Sequence, residues 1–273
     1  MYNDVFGLTS DPFRISPDPR FCYRYSGFEG ARQCLVAGLE QARGPVLVSG
    51  DVGSGRPLLV RDLADAPPQP DVQVMVMEGT FCAGSDMWPL LADSLGIHMG
   101  EAGASALPPP VIQDALERRL RRGMRTVVMV DEADKLDTAC LQRLASLSRL
   151  ELCRHPLVRF GFVGDEALDG RLETAFECPP VRCRLLPLSP GELPGYVHFR
   201  LRQAGWQGRP EFRPSALGAI HRLTGGIPRR VNQLAGRVML FAAAEGAERV
   251  DDEDVETVFD EWNAELAGPV NLA

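Results

Sequence analysis

Gly50-Asp51-Val52-Gly53-Ser54-Gly55-Arg56-Pro57 is the stretch that most narrows the choice of fold. It follows the apolar run Pro45-Val46-Leu47-Val48-Ser49 and precedes Leu58-Leu59-Val60-Arg61-Asp62-Leu63. Strand, glycine turn and helix, in that order, are what a phosphate-binding loop requires. The three glycines let successive backbone N–H groups turn inward toward an anion, and the helix adds its positive end. The spacing fits G-x-x-x-x-G-K-[ST] as far as its last two places, which hold Arg56 and Pro57 instead of Lys and Ser or Thr. Arg56 keeps the charge on a larger planar group. Pro57 removes both the hydroxyl that would ligate Mg²⁺ and one backbone N–H, although proline is tolerated at a helix start. A plain glycine-rich strand-to-helix turn has the same local pattern.

A second acidic motif makes that turn more informative. Val127-Val128-Met129-Val130-Asp131-Glu132 reads as a buried strand ending in two carboxylates, about 75–80 residues after the turn. At the end of a central strand, Asp131 would hold Mg²⁺ through water and Glu132 would polarise an attacking water. The pair points to a nucleotide site for ATP and Mg²⁺. Its candidate nucleotide-binding residues are Gly50, Asp51, Val52, Gly53, Ser54, Gly55, Arg56, Pro57 and Leu58. Asp131 is the metal candidate and Glu132 the catalytic candidate.

The rest of the chain supplies a frame for such a site. Residues 1–30 are rich in Pro, Gly and aromatics and read as an ordered strap anchored by its rings. A helix over Phe28–Gln41 follows. Strands are predicted at 45–49, 72–77, 125–131, 158–163 and 181–185, alternating with helices, which implies a parallel sheet covered on both faces. A helix is predicted at 85–95, followed by a flexible connection at 101–110. The helix at 111–122 and the residues after it carry Arg118, Arg119, Arg121, Arg122 and Arg125, a solvated face or a partner patch. Beyond Leu188 the pattern is helical only, with helices near 190–204, 214–224, 228–244 and 251–266. The first of these has a capping box, Ser189-Pro190-Gly191-Glu192, weakened by Pro194. The last shows Val255, Val258, Phe259, Trp262 and Leu266 on one face. The fold class is α/β: a three-layer P-loop domain at 45–187, after a strap and helix at 1–44 and before a helical lid at 188–273.

Composition bounds the partners. The net charge of −8 argues against general affinity for nucleic acid or anionic lipid. No stretch approaches the roughly 20 apolar residues that span a bilayer, and the start shows no secretory signal. The seven cysteines follow no metal or disulfide spacing, so reduced thiols and a cytoplasmic location are expected.

The chain resembles the AAA+ ATPases of the general secretion pathway protein A type, including those found with exopolysaccharide and exosortase systems. The resemblance spans nearly the whole length. It rests on Phe6-Gly7-Leu8, Asp11-Pro12-Phe13, Pro17-Asp18-Pro19-Arg20-Phe21, Val130-Asp131-Glu132-Ala133, Phe162-Val163-Gly164 and Gly225-Gly226-Ile227-Pro228-Arg229-Arg230-Val231-Asn232. The last resembles that family's sensor 2 turn, which would make Arg229 the residue reaching the γ-phosphate; a capped helix start with Pro228 first has the same local appearance.

The chain also departs from the family. Besides Arg56 and Pro57, Asp165 stands where the family has Gln, and Phe176-Glu177-Cys178-Pro179-Pro180 lacks the arginine that could serve a neighbouring subunit. Loss of such a finger can cost about 10³–10⁵ in rate. The resemblance therefore implies a protein with weakened or lost hydrolysis in a bacterial envelope, secretion or exopolysaccharide assembly. Its partners would be other subunits or envelope components, with a homo-oligomer inherited from the resemblance. It would meet a membrane only through a partner, as a cytoplasmic protein or one peripheral to the inner membrane. A working ATPase with an atypical loop is the alternative. A DNA-associated protein is the third reading, and it would need Arg118–Arg125 and Arg229-Arg230 to form one stripe.

Overall fold

The computed structural model describes residues 2–16, 18–82, 87–97 and 108–267. Pro17, the start of the helix predicted at 85–95 and most of the connection predicted at 101–110 lie outside the described residues, as does the side chain of Leu266. The chain divides into two compact units. One holds Phe28–Asp51 and Arg56–Leu186; the other holds residues up to Gly27, Val52–Gly55 and residues from Pro187.

The first unit is built on a five-stranded sheet. Its strands are β1 (Val46–Gly50), β2 (Val72–Glu78), β3 (Arg125–Asp131), β4 (Arg159–Val163) and β5 (Val181–Leu185). They lie side by side in the order β2-β3-β4-β1-β5, all parallel. Parallel neighbours need crossovers, and helices supply them and cover the faces. That is why Thr126 to Val130 of β3 are all buried instead of alternating. On one face Met75, Met77, Val128, Val130, Phe160 and Phe162 join a core with the fully buried Trp88 of helix Met87–Ser94. The helix predicted at 111–122 runs from Pro110 to Arg121.

The register fixes which residues finish together. Val48 of β1 pairs with Val163 of β4, and Phe162 of β4 pairs with Val130 of β3. Gly50 and Asp131, the last residues of β1 and β3, therefore end at the same edge of the sheet.

One expectation is corrected here. Cys34, on helix Ser26–Gln41, and Cys183, on β5, form a disulfide, with Cα atoms 5.6 Å apart. They lie 149 residues apart in sequence, so no local spacing could reveal the pair. Among the described residues Cys22, Cys140, Cys153 and Cys178 are in no disulfide.

The second unit is helical, with Leu193–Gln203, Pro214–Thr224, Pro228–Glu245 and Asp252–Ala267 as its main elements. Gly225, in the left-handed region, closes the second of these, and Pro228 opens the third at a position where no amide hydrogen is needed. The strap is pinned by Arg200, whose guanidinium donates to the Pro12 carbonyl at 2.6 Å, the Arg14 carbonyl at 3.0 Å and the Tyr196 hydroxyl at 3.2 Å. It also lies 5.0 Å from the Phe21 ring centre, and Phe13 and Phe21 are buried.

The predicted capping box is only half formed. Glu192 accepts from the Ser189 N–H at 3.0 Å and its hydroxyl at 2.6 Å, as well as from the Ser26 N–H at 2.7 Å. The helix itself begins at Leu193, with Pro194 in its first turn and Glu192 as the flanking residue. The serine hydroxyl is thus spent on the carboxylate instead of capping the helix.

Candidate functional site: a glycine turn and its acids

At the carboxyl edge of the sheet, the helix after the glycine turn begins with Arg56 and Pro57. The Arg56 guanidinium donates to the carbonyl of Gly164, just past the end of β4. A cation in the motif's lysine place is therefore already engaged with a backbone dipole. Pro57 is exposed and has neither hydroxyl nor amide hydrogen; Leu58, after it, is half-buried. Gly50 ends β1, and Asp51 after it is exposed.

Asp131 closes β3 and is partly buried. Burial pushes its carboxyl up from the ordinary range, and the charges of Glu132 and Glu78 push the same way. The Glu132 N–H, which donates to Asp131 Oδ1 at 2.9 Å, and the Arg56 charge oppose this. Such a carboxylate is short of positive charge.

Glu132 follows with φ 49° and ψ 40°, in the left-handed region where a residue with a side chain is strained. Its exposed carboxylate accepts a hydrogen bond from the Thr80 hydroxyl. Gly79, immediately before Thr80, makes room: a Cβ there would sit 2.5 Å from the Glu132 carbonyl oxygen. Gly79 and Thr80 were not singled out by the sequence reading. A Gly-Thr pair just after a strand that borders the acidic one was the available signal.

Asp165, next to Gly164, is exposed, and its carbonyl accepts from the Leu168 N–H at 3.3 Å. Glu177, in the stretch without the expected arginine, pairs with Arg149 at 3.2 Å. The arginines predicted as a face are partly committed elsewhere. Arg119 donates to Gln73 and to the Leu95 carbonyl, Arg121 pairs with Glu117 at 3.3 Å, and Arg125 pairs with Asp71 at 2.8 Å.

The helical unit contains the middle of the turn, Val52–Gly55, together with Arg229. Gly53 has φ +91°, and a Cβ on it would come 2.6 Å from the Arg229 Cβ. The Arg229 N–H, one of the unpaired donors of the first helical turn, donates to the Gly53 carbonyl at 3.1 Å. Arg229 is exposed, as are Arg230 beside it and Val52 at the tip of the turn. Ser54 is 2% exposed and its hydroxyl has no partner among the described residues, while its carbonyl accepts from Tyr25 at 3.4 Å. Gly55, at φ +103°, has open space where a side chain would stand.

A family profile described as an AAA domain matches residues 39–172. General secretion pathway protein A of Aeromonas hydrophila is 32% identical over 260 residues, covering 93% of this chain and 47% of that protein. The chain is an AAA+ family protein of the general secretion pathway protein A type. It spans about half the length of that relative.

Solved AAA+ neighbours share the fold. Cdc6p from Pyrobaculum aerophilum superposes with a TM-score of 0.66 at 16% identity, over 96% of this chain and 75% of that one. RuvB, the Holliday junction branch migration motor of Thermotoga maritima, gives 0.54 at 18% identity, over 86% and 69%.

The residues fit a nucleotide and its metal in part. The desolvated, cation-poor Asp131 suits a magnesium ion, and the open space at Gly55 suits a phosphate. Among the described residues no group of three or more His, Cys, Asp or Glu side chains could hold a metal alone, so phosphate and water oxygens would complete the shell. Pro57 does not fit, because the protein oxygen expected there is missing.

Proposed function

We propose that this AAA+ chain binds ATP with weakened or lost hydrolysis and acts as a nucleotide-regulated or structural member of a bacterial secretion or envelope assembly. The observation that carries the reading is the joint state of Arg56 and Pro57. The first is tied to the Gly164 carbonyl and the second offers the metal nothing. Bound ATP with Mg²⁺ would supply the phosphoanhydride and the Lewis acid. Within the chain, Gly53, Gly55 and Arg56 would hold phosphate, and Asp131 would hold the metal through water. Glu132 would orient a water once Thr80 releases it, and Arg229 would report the γ-phosphate.

The assembly is proposed from the likeness to general secretion pathway protein A, whose name places it in secretion. An oligomer and contacts with other secretion components are proposed on the same ground, as is a position peripheral to the inner membrane. No helix among the described residues is long and apolar enough to cross a membrane.

Calorimetric titration with ATP and Mg²⁺ tests the site, using the parent and an Arg56→Lys, Pro57→Thr double variant. The double variant is expected to bind at least tenfold more tightly than the parent. Parent binding as tight as the variant's, together with phosphate release as fast, overturns the reading.

A working ATPase is the second reading, favoured by one observation: Asp131 and Glu132 are both kept, and Glu132 retains a side-chain partner in Thr80. Phosphate release by the parent above about 0.01 s⁻¹, abolished by Glu132→Gln, would establish it. The DNA-associated reading has less support, since Arg119, Arg121 and Arg125 are engaged within their own unit.

A further inference from the structure

The strands begin at the opposite edge of the sheet from the glycine turn, and a cavity of about 590 Å³ lies there. Its lining includes Val72, Arg125 and Arg159, the first residues of β2, β3 and β4. Apolar walls come from Leu39, Leu63, Val74, Val127 and Leu152. That size falls within the roughly 300–1,000 Å³ typical of small-molecule sites, which combine apolar walls with a few placed polar groups.

The polar groups divide into those already satisfied and those in want of a partner. Arg125 and Asp71 pair with each other at 2.8 Å. Glu40 accepts from the Gln69 amide at 2.7 Å. Arg159 is half-buried and donates to the Ala42 carbonyl at 2.5 Å, but no carboxylate lies within ion-pair distance among the described residues. Burial pushes its pKa down, and repulsion from Arg125 outweighs attraction by Glu40. A half-buried cation without a counter-ion is costly unless something occupies the site.

We propose that this cavity binds a small amphiphilic monoanion, a carboxylate on an apolar body, with Arg159 as its counter-ion. Glu40 on the same wall disfavours a second negative charge on the ligand. The apolar body would lie against Val74, Val127 and Leu152.

Isothermal titration of the full chain with octanoate, and with octanamide as its uncharged counterpart, tests this. One octanoate per chain is expected, with octanamide at least tenfold weaker. Arg159→Gln should bring octanoate down to the octanamide level. Val74→Phe, which fills the cavity and leaves Arg159 in place, should weaken both ligands at least fivefold, with circular dichroism verifying the fold. The proposal is overturned if millimolar octanoate does not bind the parent or if octanamide binds equally well. It is equally overturned if Val74→Phe binds octanoate as the parent does, an outcome that decides the matter even should Arg159→Gln fail to fold.

Discussion

Asp131 is held at a cost in the absence of a cation, because burial and two neighbouring carboxylates raise its folded pKa. An acid with a raised folded pKa favours folding less as it ionises, so its unfavourable contribution grows as pH climbs from the unfolded value toward the folded one. Asp131→Asn should therefore raise the thermal midpoint of the metal-free protein at neutral pH, by the equivalent of about 1 kcal/mol. Glu192 behaves in the opposite sense. Burial disfavours its charge, but the Ser189 and Ser26 donors outweigh burial and bring the carboxyl down to about 2. Its contribution is complete above the ordinary glutamate range and fades as pH falls toward about 2. An acid titration monitored by circular dichroism should show Glu192→Gln less stable at pH 6 and converging on the parent below about pH 3. At this scale the sequence was partly legible. Asp131 and Glu132 could be picked out from the end of a strand, whereas the left-handed backbone of Glu132 and the Thr80 contact could not. Both depend on how close the turn after β2 comes to the turn after β3, and Gly79 permits that approach.

Regular elements were the most readable part of the chain, because apolar runs bounded by Gly and Pro mark buried parallel strands directly. The helix start at Leu193 was less so, since Ser189 and Glu192 satisfy a capping pattern that Pro190 and Pro194 displace. The glycine turn and the strap are the elements to test. Gly53→Ala must accept both φ +91° and the Arg229 Cβ at 2.6 Å, while Gly55→Ala faces φ +103° with open space. By urea unfolding, the first should lose about 2–3 kcal/mol and the second about 1 kcal/mol. Equal losses would mean that Gly53 does not pack on Arg229. For the strap, Arg200→Leu removes donors from the Pro12 and Arg14 carbonyls. It should cost about 3 kcal/mol and open sites before Gly27 to limited proteolysis, with Arg200→Lys intermediate.

At the level of the whole molecule, two facts escaped the sequence for the same reason: they join residues far apart in the chain. The Cys34–Cys183 bond is one, and the association of Val52–Gly55 with the helical unit is the other. A disulfide closing so long a loop should stabilise the fold by about 2–4 kcal/mol. Thermal unfolding with and without reductant should differ by that amount in the parent and not at all in a Cys34→Ala, Cys183→Ala variant.

The single direction shared by all five strands gives the sheet a head and a foot built from opposite ends of the same segments. β3 contributes Asp131 at the head and Thr126 near the foot, and β4 leads to Gly164 at one and begins with Arg159 at the other. A substitution can therefore be sorted by whether it falls at the first or last residue of a strand, so the proposed phosphate site and the lower chamber can be dissected one at a time.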